Sequence, residues 1–190
     1  MPRKFGNSFS SMVILFSLIG TGVGRVAPQS NISARPQNLV RFNLGLGTSP
    51  GIFKTVGSRA LDLGAIASYQ RGDRIHTFRI IDVYDFNMSW GPSEYILEYS
   101  FLFGLSLIRG EMGYISAGIG IGFVRGRRHG RVIDYEKFQV LPFKQIGMPL
   151  EVQAFITTPY FGFGPYFFAN INRGWSTYGY LFCLQFGKLQ

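Results

Sequence analysis

Glu94 to Leu107, EYILEYSFLFGLSL, decides the fold. Tyr95, Leu97, Tyr99, Phe101, Phe103 and Leu105 fall on one side of an extended chain, and Glu94, Glu98, Ser100, Gly104 and Ser106 on the other. A period of two over fourteen residues is the signature of a two-sided β-strand. Six large apolar side chains on one face are too bulky for a narrow interior, whereas the small and polar face suits one. This strand therefore turns its apolar face outward.

Seven further runs repeat the pattern. They are Leu39 to Gly47, Leu61 to Gln70, Arg74 to Phe86, Met112 to Val124, Met148 to Thr157, Tyr160 to Ile171 and Thr177 to Gly187. In the third run Ile80 and Ile81 are adjacent, which breaks the alternation and leaves the register open, a bulge being one explanation. Connections after the first, third, fifth and seventh runs are long or middling: 48–60, NMSWGPS (87–93), 125–147 and NRGWST (172–177). Those after the second, fourth and sixth are short: RGD (71–73), RGE (109–111) and Thr158-Pro159. An even number of alternating strands with segregated loop lengths predicts an all-β, eight-stranded, antiparallel up-and-down transmembrane barrel. The long connections would face the exterior and the short turns the periplasm.

Composition agrees. Charged residues are 15% of the chain, against about 25% in an average soluble domain, and a mean hydropathy of +0.14 argues against a helical membrane protein. Nineteen Phe, ten Tyr and 25 Gly favour strands and tight turns over helices. Arg3 and Lys4 precede an apolar stretch, Met12 to Gly24, that is too short to span a bilayer comfortably. Residues 1–24 read as a signal peptide for export through the Sec pathway, with cleavage after Gly24 or as late as residue 30, and residues 31–190 as the barrel domain. Loss of 1–24 lowers the net charge from +9 by the two cations Arg3 and Lys4. Aromatic residues near strand ends (Tyr69, Tyr84, Trp90, Tyr95, Tyr114, Tyr160, Trp175, Tyr178) fit interfacial girdles.

The last run, YGYLFCLQF, resembles the C-terminal assembly signal of outer-membrane barrels at Tyr178, Gly179, Phe182 and Leu184, although Gly-Lys-Leu-Gln follows Phe186. The wider stretch from Gly147 to Leu189 (GMPLEVQAF…FANIN…LQFGKL) resembles small outer-membrane β-barrel proteins of the Bacteroidetes type, of OmpA/OmpX-like architecture. The resemblance implies an integral bacterial outer-membrane location and assembly by the barrel assembly machinery. It carries no catalytic residues.

Two constellations remain. Arg125, Arg127, Arg128 and Arg131 open the longest connection, which holds six Lys or Arg against Asp134 and Glu136. Guanidinium groups bind phosphate bidentately, so contact with lipopolysaccharide phosphates competes with a merely solvated loop. Arg41, Asp62, Glu94, Glu98 and Glu151 fall on the lumen face, where an ion-pair network is favoured over a narrow polar, porin-like pore. His76 beside Thr77 invites a lipid A or phospholipid acyl hydrolase, but no Ser-containing motif accompanies it. The two His and single Cys183 lack metal-ligand spacing, and GxGxG within GYISAGIGIGF lies inside a strand, so no metal or cofactor is expected. A nucleic-acid partner is not expected for a basic cluster facing the cell exterior. The reading is a structural or surface-interaction protein rather than an enzyme; the alternatives are the lipid-modifying enzyme and a soluble lipocalin-like carrier. Oligomeric state is not legible.

Overall fold

The computed structural model describes residues 38–50, 60–85, 94–110, 112–134 and 137–189, with side chains of 131–138 left out. Eight antiparallel strands, β1 (Asn38–Thr48), β2 (Ala60–Arg71), β3 (Arg74–Asp85), β4 (Tyr95–Gly110), β5 (Gly113–Asp134), β6 (Lys137–Thr157), β7 (Phe161–Ile171) and β8 (Thr177–Gly187), pair in chain order. The barrel closes where β8 meets β1, with Leu44 opposite Leu184. Closure removes the sheet edges that would otherwise be exposed. The signal-peptide reading lies outside the described residues.

Alternation translates directly into two surfaces. On β8, Tyr178, Tyr180, Phe182, Leu184 and Phe186 are exposed, while Thr177, Gly179, Leu181, Cys183 and Gln185 are buried. The same inversion holds around the wall: large apolar groups such as Phe42, Phe101, Ile121 and Phe163 are outside, and Arg41, Asp62, Arg79, Glu98, Glu151 and Gln153 inside. A soluble lipocalin-like barrel requires the opposite polarity. The small residues expected inside are there because space demands them: a Cβ on Gly120 would stand 1.9 Å from the carbonyl oxygen of Phe101.

Two expectations are corrected. No bulge occurs in β3, whose register runs unbroken from Arg74 opposite Arg71 to Asp85 opposite Ala60. The Gly72-Asp73 turn fixes that register, so Ile81 enters the lumen and Ile80 faces out. The irregularity lies instead between Ser106 and Ile108, where Leu107 and Ile108 are both exposed. The predicted loop 125–147 is also mostly strand. β5 and β6 continue past the barrel as a hairpin, paired from Arg125–Lys144 to Asp134–Lys137. β4 follows β5 only to Tyr95 opposite Arg127, and β7 follows β6 only to Ile171 opposite Met148. Beyond these points the two strands pair only with each other, over roughly 20–30 Å at 3.3 Å per residue.

Candidate functional site

Arg79 occupies the centre of the lumen and is fully buried. Its Nη2 lies 2.5 Å from Glu98 Oε1, and its Nη1 donates to the Leu150 carbonyl at 3.1 Å and to the Tyr166 hydroxyl at 3.2 Å. Tyr166 in turn donates to Glu151 Oε2, and Thr77 donates to Glu151 Oε1 at 3.0 Å. Ser100 donates to the Glu98 oxygen that Arg79 binds. One guanidinium thus organises two carboxylates, one directly and one through a phenol. Nη1 and Nη2 carry these contacts, while the buried Nε has no hydrogen-bond partner among the described residues.

The five lumen residues expected from sequence are all buried, but they do not meet in one network. Glu98 and Glu151 converge on Arg79, a residue the sequence reading missed. Asp62 accepts a hydrogen bond from Ser49 at 2.5 Å. Glu94 lies towards the hairpin end, where its Oε1 accepts the His129 backbone N–H at 2.6 Å. Arg41 donates to Gln70 and stacks 4.1 Å from the centre of the Tyr114 ring, with no ion pair among the described residues. Arg79 was legible in principle: counting by twos from the RGD turn places Ile75, Thr77, Arg79 and Ile81 on one face.

The basic cluster splits by face. Arg125 and Arg127 are exposed on the outer wall, and Arg128 lies on the alternate face. Successive outer-wall rungs show the setting. Ala67–Phe78–Phe101–Ile121 and Ala65–Ile80–Tyr99–Phe123–Ile146 are apolar or aromatic. The next two, Leu63–Asp82–Leu97–Arg125–Lys144 and Leu61–Tyr84–Tyr95–Arg127–Pro142, bring in charge. Arg125 stands 5.8 Å over the Tyr99 ring and Arg127 4.8 Å over Tyr95, within cation–π range. Cations therefore begin where the apolar belt ends, seated on its aromatic rim. Lys144 completes this group and was not singled out in the sequence. Arg128 stacks instead on Trp175, 5.8 Å away, which packs on Phe143 at 5.6 Å. The Arg131 side chain lies outside the description.

Other expected sites resolve by orientation. Tyr69, Tyr84, Tyr160 and Tyr178 are exposed on the wall, as girdle residues would be, but Tyr114 points into the lumen, and Trp90 lies outside the described residues. His76 sits on the outer wall among Tyr69, Phe101 and Phe103, whereas Thr77 points inward, so the pair cannot act together. Cys183 is a buried free thiol within the apolar cluster. No group of three metal-ligating side chains occurs among the described residues.

No protein-family model and no curated protein matches the chain. Solved structures do match. Ail, the attachment invasion locus protein of Yersinia pestis, is 11% identical with a TM-score of 0.51, covering 80% of this chain and 97% of its own. Neisserial surface protein A is 10% identical with a TM-score of 0.56 over 80% of this chain and 97% of its own. The N-terminal β-barrel domain of Pseudomonas aeruginosa OprF is 9% identical with a TM-score of 0.52, over 80% and 98%. At such identities the likeness is one of fold. The chain has the fold of the small outer-membrane β-barrels.

Proposed function

We propose that this chain is an integral outer-membrane protein with a surface-interaction role, whose outward cations hold the phosphate groups of lipopolysaccharide. One observation carries the reading: Arg125, Arg127 and Lys144 stand on the lipid-facing wall one and two rungs above its apolar surface. Lipid phosphates sit at that level of a bilayer, immediately beyond the acyl chains. The rings of Tyr95 and Tyr99 hold two guanidinium groups in place, which reduces the ordering cost of phosphate contact. Residues 1–24 direct export, and the barrel assembly machinery inserts the strands. The lumen side chains serve stability rather than transport or catalysis.

The test titrates the purified barrel in micelles with lipopolysaccharide, against a triple variant Arg125→Gln, Arg127→Gln, Lys144→Gln. Charge-assisted contacts contribute about 1.5–3 kcal/mol each when formed, so affinity falls about tenfold or more and loses much of its salt dependence. Equal binding by the variant, with unchanged stability in lipopolysaccharide-containing membranes, rejects the reading.

A second reading rests on the other face of the hairpin. Arg128 on Trp175 beside Phe143 offers a cation and two aromatic rings to an anionic saccharide, and Ail has been solved with the heparin analogue sucrose octasulfate. Loss of sulfated-saccharide binding in Arg128→Gln, with lipopolysaccharide binding retained, would favour it.

A further inference from the structure

We infer that Arg41 is the centre of a small-anion site enclosed in the half of the lumen next to the chain ends, and that its ligand is a halide, chloride in the cell. Arg41 is 2% exposed, and among the described residues its partners are neutral: the Gln70 amide oxygen, which accepts from Nη2, and the Tyr114 phenol and ring. Its Nε and Nη1 have no hydrogen-bond partner among the described residues. Among the described residues, the ionisable groups acting on it are the Tyr114 phenol and a second cation, Arg109, with no carboxylate. The lumen acids are engaged elsewhere: Asp62 with Ser49, Glu94 with His129, and Glu98 and Glu151 around Arg79. A buried guanidinium without a counter-charge is costly, and an amide supplies no charge to balance it.

The surroundings suit an anion. Asn43, two residues along the same face of β1, has an Nδ2 with no partner among the described residues, while its Oδ1 accepts from Gln185 at 2.8 Å. That bond directs the Asn43 amide and leaves its N–H groups available. Ser116, two residues from Tyr114 on the same face of β5, has a hydroxyl with no partner among the described residues. Arg41, Asn43 and Ser116 thus present four unused donor atoms from facing walls, all on residues at most 2% exposed.

Enclosure limits the ligand's size. Leu39, Ile75 and Phe155 are buried apolar neighbours in this end of the lumen. Past Phe186 the chain stays bonded to the β6–β7 turn: Gly187 N donates to the Tyr160 carbonyl and Leu189 N to that of Pro159 at 2.9 Å. Gly187 has φ 130°, a conformation that side chains resist, and a Cβ there would meet the Val40 carbonyl oxygen at 2.2 Å. Leu189 is thereby buried, its side chain 3.4 Å from where a Cβ on Gly162 would stand. A buried setting with one cation and a few donors fits a monatomic anion better than a phosphate, whose further oxygens would go unmatched.

Bromide tests the inference directly. Crystals of the full chain in sodium bromide are expected to show an anomalous peak within hydrogen-bonding reach of Arg41 Nε or Nη1, absent from Arg41→Met. In micelles at fixed ionic strength, exchanging gluconate for chloride is expected to raise the wild-type thermal midpoint by several degrees and leave Arg41→Met unmoved. If that variant does not fold, Asn43→Leu replaces it and shifts the midpoint's chloride dependence to higher concentration. Water alone at Arg41 in crystals that hold bromide elsewhere overturns the site. Equal wild-type midpoints in chloride and gluconate overturn its occupancy in solution, and either result is sufficient to discard the inference.

Discussion

Replacing Arg79 with Met removes the cation that both central carboxylates depend on. Methionine keeps much of the length and apolar volume, so the change is chiefly electrostatic. Among the partners described, it leaves Glu98 with the Ser100 hydroxyl, and Glu151 with Thr77 and a Tyr166 no longer bonded to a cation. Breaking a buried pair from one side costs about 3–5 kcal/mol, because the orphaned charge stays desolvated. With a urea dependence of about 2 kcal/mol per molar, the unfolding midpoint falls by about 2 M. The assay is reversible urea unfolding in lipid vesicles, followed by tryptophan fluorescence and by heat-modifiable migration on gels. The decisive form is a cycle with Glu98→Gln: the double variant recovers about 2 kcal/mol of the summed losses. Recovery stays incomplete because Glu151 still lacks its link to Arg79. Additivity within about 0.5 kcal/mol would show that Arg79 and Glu98 are not coupled, and would refute the account of the lumen centre.

Three further outcomes follow from the same geometry. Gly120→Val abolishes the heat-modifiable folded band, since even the first carbon of its side chain collides with the Phe101 carbonyl oxygen; a fully folded variant would mean that β4 and β5 are less closely apposed. Ile121→Arg, on an exposed apolar rung below Arg125, destabilises the barrel in vesicles by about 2–4 kcal/mol, the cost of a cation near the bilayer midplane, and a neutral effect would move the lipid boundary. In planar bilayers the wild type shows no large, stable conductance, because buried Arg79, Tyr166 and Glu151 bridge the lumen; persistent open channels would contradict that filling.

Much of the architecture was legible because lipid and lumen impose opposite demands on alternate residues. Strand count, pairing order and face polarity all follow from that period of two, and Glu94 to Leu107 displays it with Ile96 and Leu102 as the apolar residues of its inner face. The hairpin was not legible as strand because RGRRHG carries polar residues on both faces. Its extended form comes from backbone pairing of β5 with β6, which hydropathy does not encode. Ile80-Ile81 misled for a related reason: one apolar residue faces lipid and the next fills the lumen, so adjacent hydrophobics need no bulge. Tyr114 misled because a ring at a strand end serves either surface.

By itself, the sequence determined a closed eight-stranded barrel, its apolar exterior, its polar filling and the end at which basic residues gather. Those properties are local, set by the alternation of side chains along each strand and the residues of each turn. Only the tertiary structure decided which charges meet. Barrel closure and strand stagger bring Arg79 of β3 to Glu98 of β4 and to Tyr166 of β7, leave Arg41 without an ion pair among the described residues, and separate Arg125 and Arg127 from Arg128. Pairing across a lumen depends on side chains from distant strands reaching a common height, and no periodicity within one strand specifies that.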